Sequence, residues 1–279
     1  MSLSNEELRR RLAVQEWTAH NIQLNSDTST MPGKPDFMET DLRLKAILRA
    51  LSFFYREQLS GLRVADLGCL EGGFTLAMAR EGMEVIGLEA RQMNLDKCLL
   101  LKEHFDLPQM EFRLDDVKNF SREKYRTFDV VLALGIFYHL NDPVAWLQQV
   151  AAATRGMLII ESHYAPADDQ ALKLLDSRLK LGSLVRETID GFEYEGRWFF
   201  EFEPHADPEV MPWASYSNNK SFWLTKESLL QSISRAGFDL VFEQHDYSAD
   251  QYQFHMFTRS RGLFLAIKQN AAAHNPLQG

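Results

Sequence analysis

The sequence predicts an α/β fold with a doubly wound, mostly parallel sheet, an N-terminal helical segment and an inserted cap. From residue 62 onward, short apolar runs alternate with amphipathic segments of helix length. Such alternation indicates right-handed strand–helix–strand crossovers in a sheet that is covered on both faces. The alternation stops at about residue 164 and returns near residue 223, which predicts an insertion. The predicted parts are an N-terminal helical segment (1–60), a core (61–164), an inserted cap (165–222), the C-terminal part of the core (223–268) and a disordered tail (269–279).

Capping signals and apolar periodicity predict the elements of the first 60 residues. Ser4 and Glu7 form an S-x-x-E capping box at the start of the first helix. Its apolar residues lie near one helical face: Leu8, Leu12, Val14, Trp17 and Ile22. Residues 25–36, NSDTSTMPGKPD, are rich in turn formers and predict a loop. Asp36 and Glu39 then predict the start of a long helix that ends near residue 59.

Five short apolar runs predict the strands of the core. They are residues 63–67, 84–88, 110–114, 128–134 and 156–161. Asp142 followed by Pro143 is typical of an N-cap with proline at the first helical position, and it predicts a helix through residue 153.

The remaining elements belong to the insertion and to the C-terminal part of the core. Residues 168–187 predict a charged helix, followed by a segment dense in aromatic, proline and turn residues. A helix over residues 225–236 and strands over 238–244 and 262–268 complete the core.

Composition and charge limit the classes of partner. The chain has 279 residues and a net charge of -9, which repels phosphate backbones and disfavours nucleic acid. No apolar run approaches the roughly 20 residues that cross a bilayer, and the N-terminus lacks the apolar centre of a signal peptide, so we expect a cytoplasmic protein. Cys69 and Cys98 are the only cysteines; we expect reduced thiols and no metal site.

Acidic residues stand at the ends of the first three core strands. Asp66 ends the first, Glu89 ends the second, and Asp115 and Asp116 end the third. Ligands of open parallel sheets bind at the carboxyl ends of the strands. A carboxylate at the end of the second strand can accept both hydroxyls of a ribose, a role shared by NAD and adenosyl cofactors.

The turn after the first strand helps to separate those cofactors. Residues 66–73 read DLGCLEGG, so Leu70 stands where a dinucleotide fingerprint has its second glycine. Asp66 and Glu71 make the turn unfavourable for pyrophosphate and suitable for the ammonium and sulfonium of S-adenosyl-L-methionine. We expect the side chain of Leu70 to point away from the ligand through a negative φ. The alternative, a plain strand-to-helix turn, leaves the strand-end acids unexplained.

Several motifs in order resemble those of class I S-adenosylmethionine-dependent methyltransferases. They are VADLGCLEGGFT (64–75), VIGLEA (85–90), FRLDDV (112–117) and FDVVLALGIFYHL (128–140), with residues 221–244 and 262–268 similar to that family's last helix and closing hairpin. The resemblance implies a Rossmann-like, seven-stranded, mostly parallel sheet. It also implies S-adenosyl-L-methionine as cofactor and S-adenosyl-L-homocysteine as product.

The resemblance also implies a role for particular residues. Around the methionine part it implies Asp66, Gly68, Cys69 and Gly72, with Leu134 and Gly135 beneath it. Glu89 would bind the ribose, with Ala90 and Arg91 beside the adenine. Asp116 would accept a hydrogen bond from the adenine amino group, and Val117 would offer its backbone to the ring.

The stretch GIFYHLNDP (135–143) more narrowly resembles a subgroup that includes small-molecule methyltransferases and tRNA wobble-uridine carboxymethyl-transfer enzymes. The acidic balance favours a small-molecule acceptor over tRNA. An NAD-dependent oxidoreductase and a non-catalytic adenosyl-binding protein stay as alternatives.

Two aromatic–histidine pairs follow the fourth and fifth strands, where an acceptor must bind. They are Tyr138 with His139, and His163 with Tyr164. The hypothesis is that His139 or His163 is the general base, that Tyr138 orients the acceptor or packs near the sulfonium, and that Tyr164 contacts the substrate. The alternative for each histidine is a structural role at the end of a strand.

The insertion carries many aromatic side chains, which would form either a lid over the acceptor or a small core of their own. They are Phe192, Tyr194, Trp198, Phe199, Phe200, Trp213, Tyr216, Phe222 and Trp223. Arg197 and Trp198 are candidate substrate contacts, and an ordinary salt bridge is the alternative for Arg197. Trp17, His20 and Asn21, on the predicted first helix, are candidates for closing the cofactor site.

Overall fold

The computed structural model describes residues 3–175, 180–203, 205–246 and 260–269. The chain divides into two compact units, residues 1–117 and 118–279. Elements of the first unit are α1 (Asn5–Leu12), β1 (Gln23–Asn25), β2 (Thr28–Ser29), α2 (Leu42–Phe54), β3 (Arg63–Leu67), α3 (Gly73–Arg80), β4 (Glu84–Glu89), α4 (Gln92–Phe105) and β5 (Met110–Leu114). Those of the second are α5 (Arg122–Tyr125), β6 (Phe128–Leu134), α6 (Pro143–Ala153), β7 (Thr154–His163), α7 (Asp169–Leu174), β8 (Leu181–Ile189), β9 (Phe192–Phe200), β10 (Lys220–Leu224), α8 (Lys226–Arg235), β11 (Leu240–Gln244) and β12 (Arg261–Ile267).

The predicted α/β class and its mostly parallel sheet are confirmed. Seven strands follow the order β11–β12–β7–β6–β3–β4–β5. Pairs β3–β4, β4–β5 and β6–β7 are parallel, whereas β12 is antiparallel to both β7 and β11. Strands β3 and β6 are mostly buried along their length because a sheet covered on both faces needs continuous apolar runs.

The predicted core strands are also confirmed, with small changes at three ends, one of them the start of β7 at Thr154. The predictions for residues 63–67, 110–114 and 128–134 match β3, β5 and β6. Strand β4 includes Glu89, and β7 is longer than predicted because it extends to His163. Helix α6 has the predicted cap: the Asp142 side chain accepts from the backbone N–H of Ala145, and Pro143 is its first residue.

The N-terminal helix is shorter than predicted. The Ser4 hydroxyl caps α1 as expected, by accepting from the N–H of Glu7. The helix ends at Leu12, so the prediction that Trp17, His20 and Asn21 lie on it is wrong. The N–H groups of residues 18–20 donate to the side chain of Glu71 instead of to helical carbonyls, which keeps these residues out of a helix.

The loop and second helix predicted over residues 25–59 also differ from the structure. A short hairpin pairs β1 with β2, so part of the predicted loop is strand. Helix α2 begins at Leu42, after Asp41, whose side chain accepts from the N–H groups of Arg43 and Leu44. The predicted start at Asp36 is wrong because Asp41 supplies the actual N-cap, and the helix ends at Phe54 rather than near residue 59.

The charged helix predicted over residues 168–187 is wrong for most of its described part. Helix α7 ends at Leu174, and β8 begins at Leu181. Strands β8, β9 and β10 form an antiparallel sheet of their own. Asp190 and Gly191 connect β8 to β9 with φ of +52° and +80°, and Asp-Gly is the sequence signal for such a turn. This pair is a local hairpin signal, whereas the leucine spacing of the preceding residues favours a helix.

Helix α8 and strands β11 and β12 lie within one to two residues of their predicted bounds. Residues 270–279 of the predicted tail lie outside the described residues. Among the helices of the described ranges, none combines the length and the apolar character needed to span a bilayer.

Candidate active site

Positive φ angles shape the turn between β3 and α3 in the first unit. They occur at Gly68 (+70°), Leu70 (+53°) and Gly72 (+77°). The N–H groups of Gly68 and Cys69 both donate to the carbonyl of Leu88, at 2.9 Å each. The turn is thereby tied to the end of β4, the strand that carries Glu89.

The prediction of a negative φ at Leu70 is wrong. Left-handed backbone costs a leucine roughly 1–2 kcal/mol, so compensating contacts are required. The N–H of Leu70 donates to Glu89 Oε2 at 3.0 Å, and its carbonyl accepts from the thiol of Cys98 at 3.3 Å. The left-handed φ of Leu70 therefore points its N–H at the Glu89 carboxylate, and a negative φ would turn this N–H away.

Glu89 is a buried carboxylate held by backbone donors. Its Oε2 accepts from Leu70 and its Oε1 accepts from the N–H of Arg91 at 2.9 Å. Burial raises the pKa of the Glu89 carboxyl above its usual value. The Asn94 side chain also acts on this carboxylate, whose roughly four lone-pair sites leave acceptor capacity for hydroxyl donors beside these contacts. The remaining acceptor capacity of Glu89 fits the hydroxyl donors of a ribose.

Asp66 bonds within the fold. Its Oδ2 accepts from the Thr75 hydroxyl at 2.6 Å. Burial raises the pKa of Asp66 to about 6, and the hydrogen bond from Thr75 opposes that rise. Asp66 thus holds the first turns of α3 against the end of β3.

Close packing surrounds the other predicted residues of the turn. The Sγ atoms of Cys69 and Cys98 lie 4.0 Å apart as free thiols. A Cβ on Gly72 would stand 3.0 Å from the ring of Phe112. Gly87 was missed by the sequence reasoning; a Cβ there would stand 2.7 Å from the same ring and 2.8 Å from Thr75 Oγ1. Only glycine lets β4 approach the turn this closely.

The predicted adenine contacts follow β4 and β5. Arg91 is buried and precedes α4, and Ala90 beside it is half-buried. Asp116 is half-buried after β5, whereas Val117 is buried at the start of a short 3-10 helix.

Glu71, which the sequence analysis assigned to the charge of the turn, instead binds the N-terminal segment. Its carboxylate accepts from the backbone N–H groups of Thr18 (2.7 Å), Ala19 (3.0 Å) and His20 (2.8 Å) and pairs with Lys97 Nζ at 2.9 Å. Burial opposes ionisation, but the His20 N–H and Lys97 together lower the pKa of the Glu71 carboxyl. The negative charge of Glu71 is therefore already compensated within the fold.

His20 caps α3. Its Nδ1 accepts from the N–H of Gly73 at 3.0 Å, so the neutral ring carries its proton on Nε2. Burial lowers the pKa of His20 to about 4, with the charge of Glu71 acting in the opposite direction. A Cβ on Gly73 would stand 2.9 Å from the His20 ring, which makes Gly73 a requirement for this contact.

Aromatic rings cluster in the second unit after β6 and β7. Centroid distances are 4.7 Å for Tyr138–His163, 5.0 Å for the stacked pair His163–Trp223 and 5.0 Å for Phe199–Trp223. The predicted residues Tyr138, His139 and His163 are thus brought together. Trp223, from β10, stacks on His163 and belongs to the same cluster. Gly135, at φ +75°, donates its N–H to the Glu161 carbonyl at 2.9 Å, and Leu134 before it is half-buried.

His139 is held by a carboxylate that the sequence analysis did not identify. Both carboxylate oxygens of Glu201 lie 2.9 Å from His139 Nδ1. Glu201 also accepts from the Ser215 N–H at 3.1 Å and from the Ser221 hydroxyl. Nothing in the local sequence pattern marks Glu201, because 62 residues separate it from His139.

The remaining predicted substrate contacts differ in their surroundings. Arg197 is fully buried; its Nε donates to the Pro166 carbonyl at 2.8 Å and its Nη2 pairs with Asp169 at 2.9 Å. These contacts support the structural alternative for Arg197. Trp198 is half-buried against Lys220, whose Nζ lies 4.0 Å from the ring centroid. Tyr164 is half-buried, and burial raises its pKa.

The mostly parallel seven-stranded sheet, with a glycine turn after β3 and a buried carboxylate ending β4, is the arrangement expected of a class I S-adenosylmethionine-dependent methyltransferase. Comparison with known proteins agrees with that class. A family model described as a methyltransferase domain matches residues 38–243, and the chain belongs to this family.

Curated relatives are methyltransferases of moderate similarity. A ubiquinone biosynthesis O-methyltransferase of Ruegeria pomeroyi is 28% identical over 165 residues, which cover 56% of this chain and 66% of that protein. One from Ruegeria sp. (strain TM1040) is 34% identical over 64% of each chain. The O-antigen chain terminator bifunctional methyltransferase/kinase WbdD of Escherichia coli is 31% identical over 57% of this chain and 22% of that protein. The chain therefore spans just under two thirds, or less, of the length of these relatives.

Solved structures share the fold. The N-terminal domain of EvdMO1, crystallised in the presence of SAH and D-fucose, has a TM-score of 0.70 and 23% identity over 96% of this chain and 98% of that one. Magnesium protoporphyrin IX methyltransferase from Synechocystis PCC 6803, with bound SAH, has a TM-score of 0.51 and 13% identity over 86% and 90%. At this level of identity the likeness concerns the fold.

Proposed function

We propose that the protein transfers a methyl group from S-adenosyl-L-methionine to a small-molecule acceptor. The observation that carries the proposal is the arrangement at Glu89. A buried carboxylate ends β4, it is oriented by the N–H groups of Leu70 and Arg91, and it retains acceptor capacity for a diol. Membership of the methyltransferase family supports the same conclusion.

The first unit supplies the cofactor residues in this proposal. Glu89 binds the ribose, the backbone of the turn over residues 68–72 binds the methionine part, and Asp116 with Val117 binds the adenine. Ala90 and Arg91 flank the adenine, while Asp66 and Cys69 act through the shape of the turn because both side chains are buried. Leu134 and Gly135 are the remaining candidates for the methionine part, as the family resemblance implies. The cofactor, when bound, supplies a methyl group that its sulfonium already makes electrophilic.

The second unit supplies the acceptor residues. Tyr138, His139 and His163 stand in one aromatic cluster with Trp223, so a proton-accepting ring and aromatic surfaces occur together. Catalysis of methyl transfer depends mainly on positioning and on the exclusion of water. We propose that residues 165–222 act as the substrate cap, with Tyr164 and Trp198 as its contacts to the acceptor.

We also propose a cytoplasmic location and a small-molecule partner. Free thiols at Cys69 and Cys98, whose Sγ atoms are only 4.0 Å apart, support a reducing compartment such as the cytoplasm. The net charge of -9 supports a small-molecule acceptor over tRNA.

Calorimetry tests the cofactor part. We expect saturable binding of S-adenosyl-L-homocysteine and S-adenosyl-L-methionine and no comparable binding of NAD. Glu89→Ala should weaken adenosyl binding by about 10- to 100-fold, because hydrogen bonds to a charged group contribute about 1.5–3 kcal/mol. Glu84→Ala is the matched control, since Glu84 is exposed at the other end of β4. Preferential binding of NAD would indicate an oxidoreductase instead.

Methyl transfer itself requires a second measurement. Transfer from radiolabelled S-adenosyl-L-methionine should be screened against small hydroxyl, amine and thiol compounds. Cofactor binding without transfer to any acceptor would favour the non-catalytic adenosyl-binding alternative.

A further inference from the structure

We infer that Glu201 is a positioning residue for His139 and that the pair accepts the proton of a hydroxyl acceptor, so that the reaction is an O-methylation. This inference rests on the proposed function. To that function it adds a positioning residue from the insertion, Glu201, and the chemical class of the acceptor.

The hydrogen bonds of Glu201 determine which nitrogen of His139 carries a proton. A carboxylate oxygen accepts hydrogen bonds and donates none. His139 Nδ1, 2.9 Å from both oxygens, must therefore be the protonated nitrogen of the neutral ring. The remaining nitrogen, Nε2, is then the one with a lone pair and the one that can accept a proton.

Glu201 is itself held rigidly in place. Its side chain is 1% exposed, and it receives the Ser215 N–H and the Ser221 hydroxyl in addition to His139. The Glu201 N–H donates to the Asn219 carbonyl at 3.0 Å. Fixed donors of this kind leave the carboxylate little freedom to turn away from His139.

The backbone of His139 is fastened to the same segment. Asn218 Nδ2 donates to the His139 carbonyl at 3.1 Å and to the Lys220 carbonyl at 2.9 Å. The Phe222 N–H donates to the Leu140 carbonyl at 2.8 Å. Glu201, Asn218 and Phe222 therefore set both the position and the tautomer of His139, which a purely structural histidine does not need.

This arrangement selects the class of acceptor. A hydroxyl is a weak nucleophile until its proton is removed, so a base accelerates its attack. A neutral amine attacks through its free lone pair, and a thiolate has already lost its proton. A histidine oriented by a buried carboxylate therefore benefits a hydroxyl acceptor most.

The hydroxyl oxygen forms a bond to the methyl carbon while the carbon–sulfur bond breaks, and the electron pair of that bond returns to sulfur. The hydroxyl proton moves to His139 Nε2. The resulting imidazolium lies against the Glu201 carboxylate, and the products are a methyl ether and S-adenosyl-L-homocysteine.

The first experiment requires no acceptor. Nitrogen-15 NMR of the full chain bound to S-adenosyl-L-homocysteine, at mildly alkaline pH, reports the tautomer of each histidine, with His139→Gln used for assignment. We expect His139 to be protonated on Nδ1 in the wild type and to become a mixture of tautomers in Glu201→Gln. A ring protonated on Nε2 in the wild type would overturn the inference.

The second experiment compares two phenols of different acidity, catechol and 4-nitrocatechol. Glu201→Gln should lower kcat for catechol by about 100-fold with KM unchanged, because general-base catalysis contributes about 10²- to 10⁴-fold. For 4-nitrocatechol, which is already ionised in mild alkali, the loss should stay within about threefold. Equal losses for both phenols, or a change in KM alone, would contradict a role in proton transfer.

A double-variant cycle tests whether Glu201 acts through His139. The double variant Glu201→Gln/His139→Gln should be no slower than His139→Gln alone, whereas multiplicative losses would contradict the inference. Glu203→Gln is the matched control, since Glu203 is exposed two residues away. Calorimetry with S-adenosyl-L-homocysteine separates the two proposals: failure of wild-type binding rejects the proposed function, whereas intact binding with a wrong tautomer rejects only the role of Glu201.

Discussion

Acid should destabilise the first unit through His20. The folded protein holds this ring neutral, with a pKa of about 4 against 6.5 for the free side chain. Because folding lowers the pKa of His20, the contribution of this ring to the free energy of unfolding is fully present above about pH 6.5. It is lost as the pH falls towards about 4. The loss amounts to about 2 kcal/mol at about pH 5 and to about 3 kcal/mol once the folded ring is protonated.

Comparison with a variant isolates this contribution. His20→Asn keeps a polar side chain beside the Gly73 N–H but removes the titration. Asp66 titrates in the opposite sense, since its pKa is raised to about 6 and its protonation stabilises the fold as the pH falls. The difference between wild type and variant removes the effect of Asp66. The charged groups that act on His20 are Glu71, Arg43, Asp41 and Lys97, and all are retained in the variant.

Urea unfolding followed by tryptophan fluorescence at about pH 8 and about pH 5 measures the effect. Between these values the wild type should lose about 2 kcal/mol more than His20→Asn. Equal losses would refute the claim that a buried neutral His20 caps α3. His205→Asn, at an exposed position of the second unit, should lose as much as the wild type.

Substitutions at three further positions probe the contacts of the turn and of the insertion. Glu71→Gln should lower the free energy of unfolding by about 3–5 kcal/mol in thermal denaturation, because it leaves the ammonium of Lys97 buried without its charge partner. Leu70→Val should cost about 1–2 kcal/mol in the same assay, because a β-branched residue is strained at a φ of +53°, whereas Leu70→Gly should stay within about 1 kcal/mol of the wild type. Arg197→Met should destabilise the protein by about 2–3 kcal/mol, because it leaves the carbonyls of Pro166 and Gly182 without a donor. Affinity for S-adenosyl-L-homocysteine, measured by calorimetry, should survive the change at Arg197.

Contrary results for these three positions would change the assigned roles. A stable Glu71→Gln protein would show that the N-terminal segment is held by other contacts. A more stable Leu70→Val protein would contradict the left-handed turn. Weaker acceptor binding by a normally stable Arg197→Met protein would restore Arg197 as a substrate contact.

Local patterns were sufficient for the core strands and their terminal acids. Short apolar runs predict β3 and β6 because a sheet covered on both faces buries most of their side chains. Strand β5, at the edge of the sheet, instead alternates buried Met110 and Phe112 with exposed Glu111 and Arg113. Glu89 was identifiable because a strand end is a local feature. The helix predicted after residue 168 was wrong because charged, leucine-rich periodicity outweighed the short turn signal at Asp190 and Gly191.

Tertiary structure decided the partners of the acids and histidines. Glu71 looked like part of a ligand turn, but its carboxylate accepts hydrogen bonds from the backbone N–H groups of residues 18–20, which are 51 to 53 positions away in the chain. Glu201 was invisible in the sequence, although it orients His139 across 62 residues.

The sequence by itself determined the class of sheet, the order of its strands along the chain and the acidic strand ends, because periodicity and caps act between residues that are neighbours in the chain. Only the tertiary structure decided the left-handed φ of Leu70 and the pairing of Glu201 with His139. Hydrogen bonds between distant segments depend on how the chain folds back on itself, and a local pattern does not contain that information.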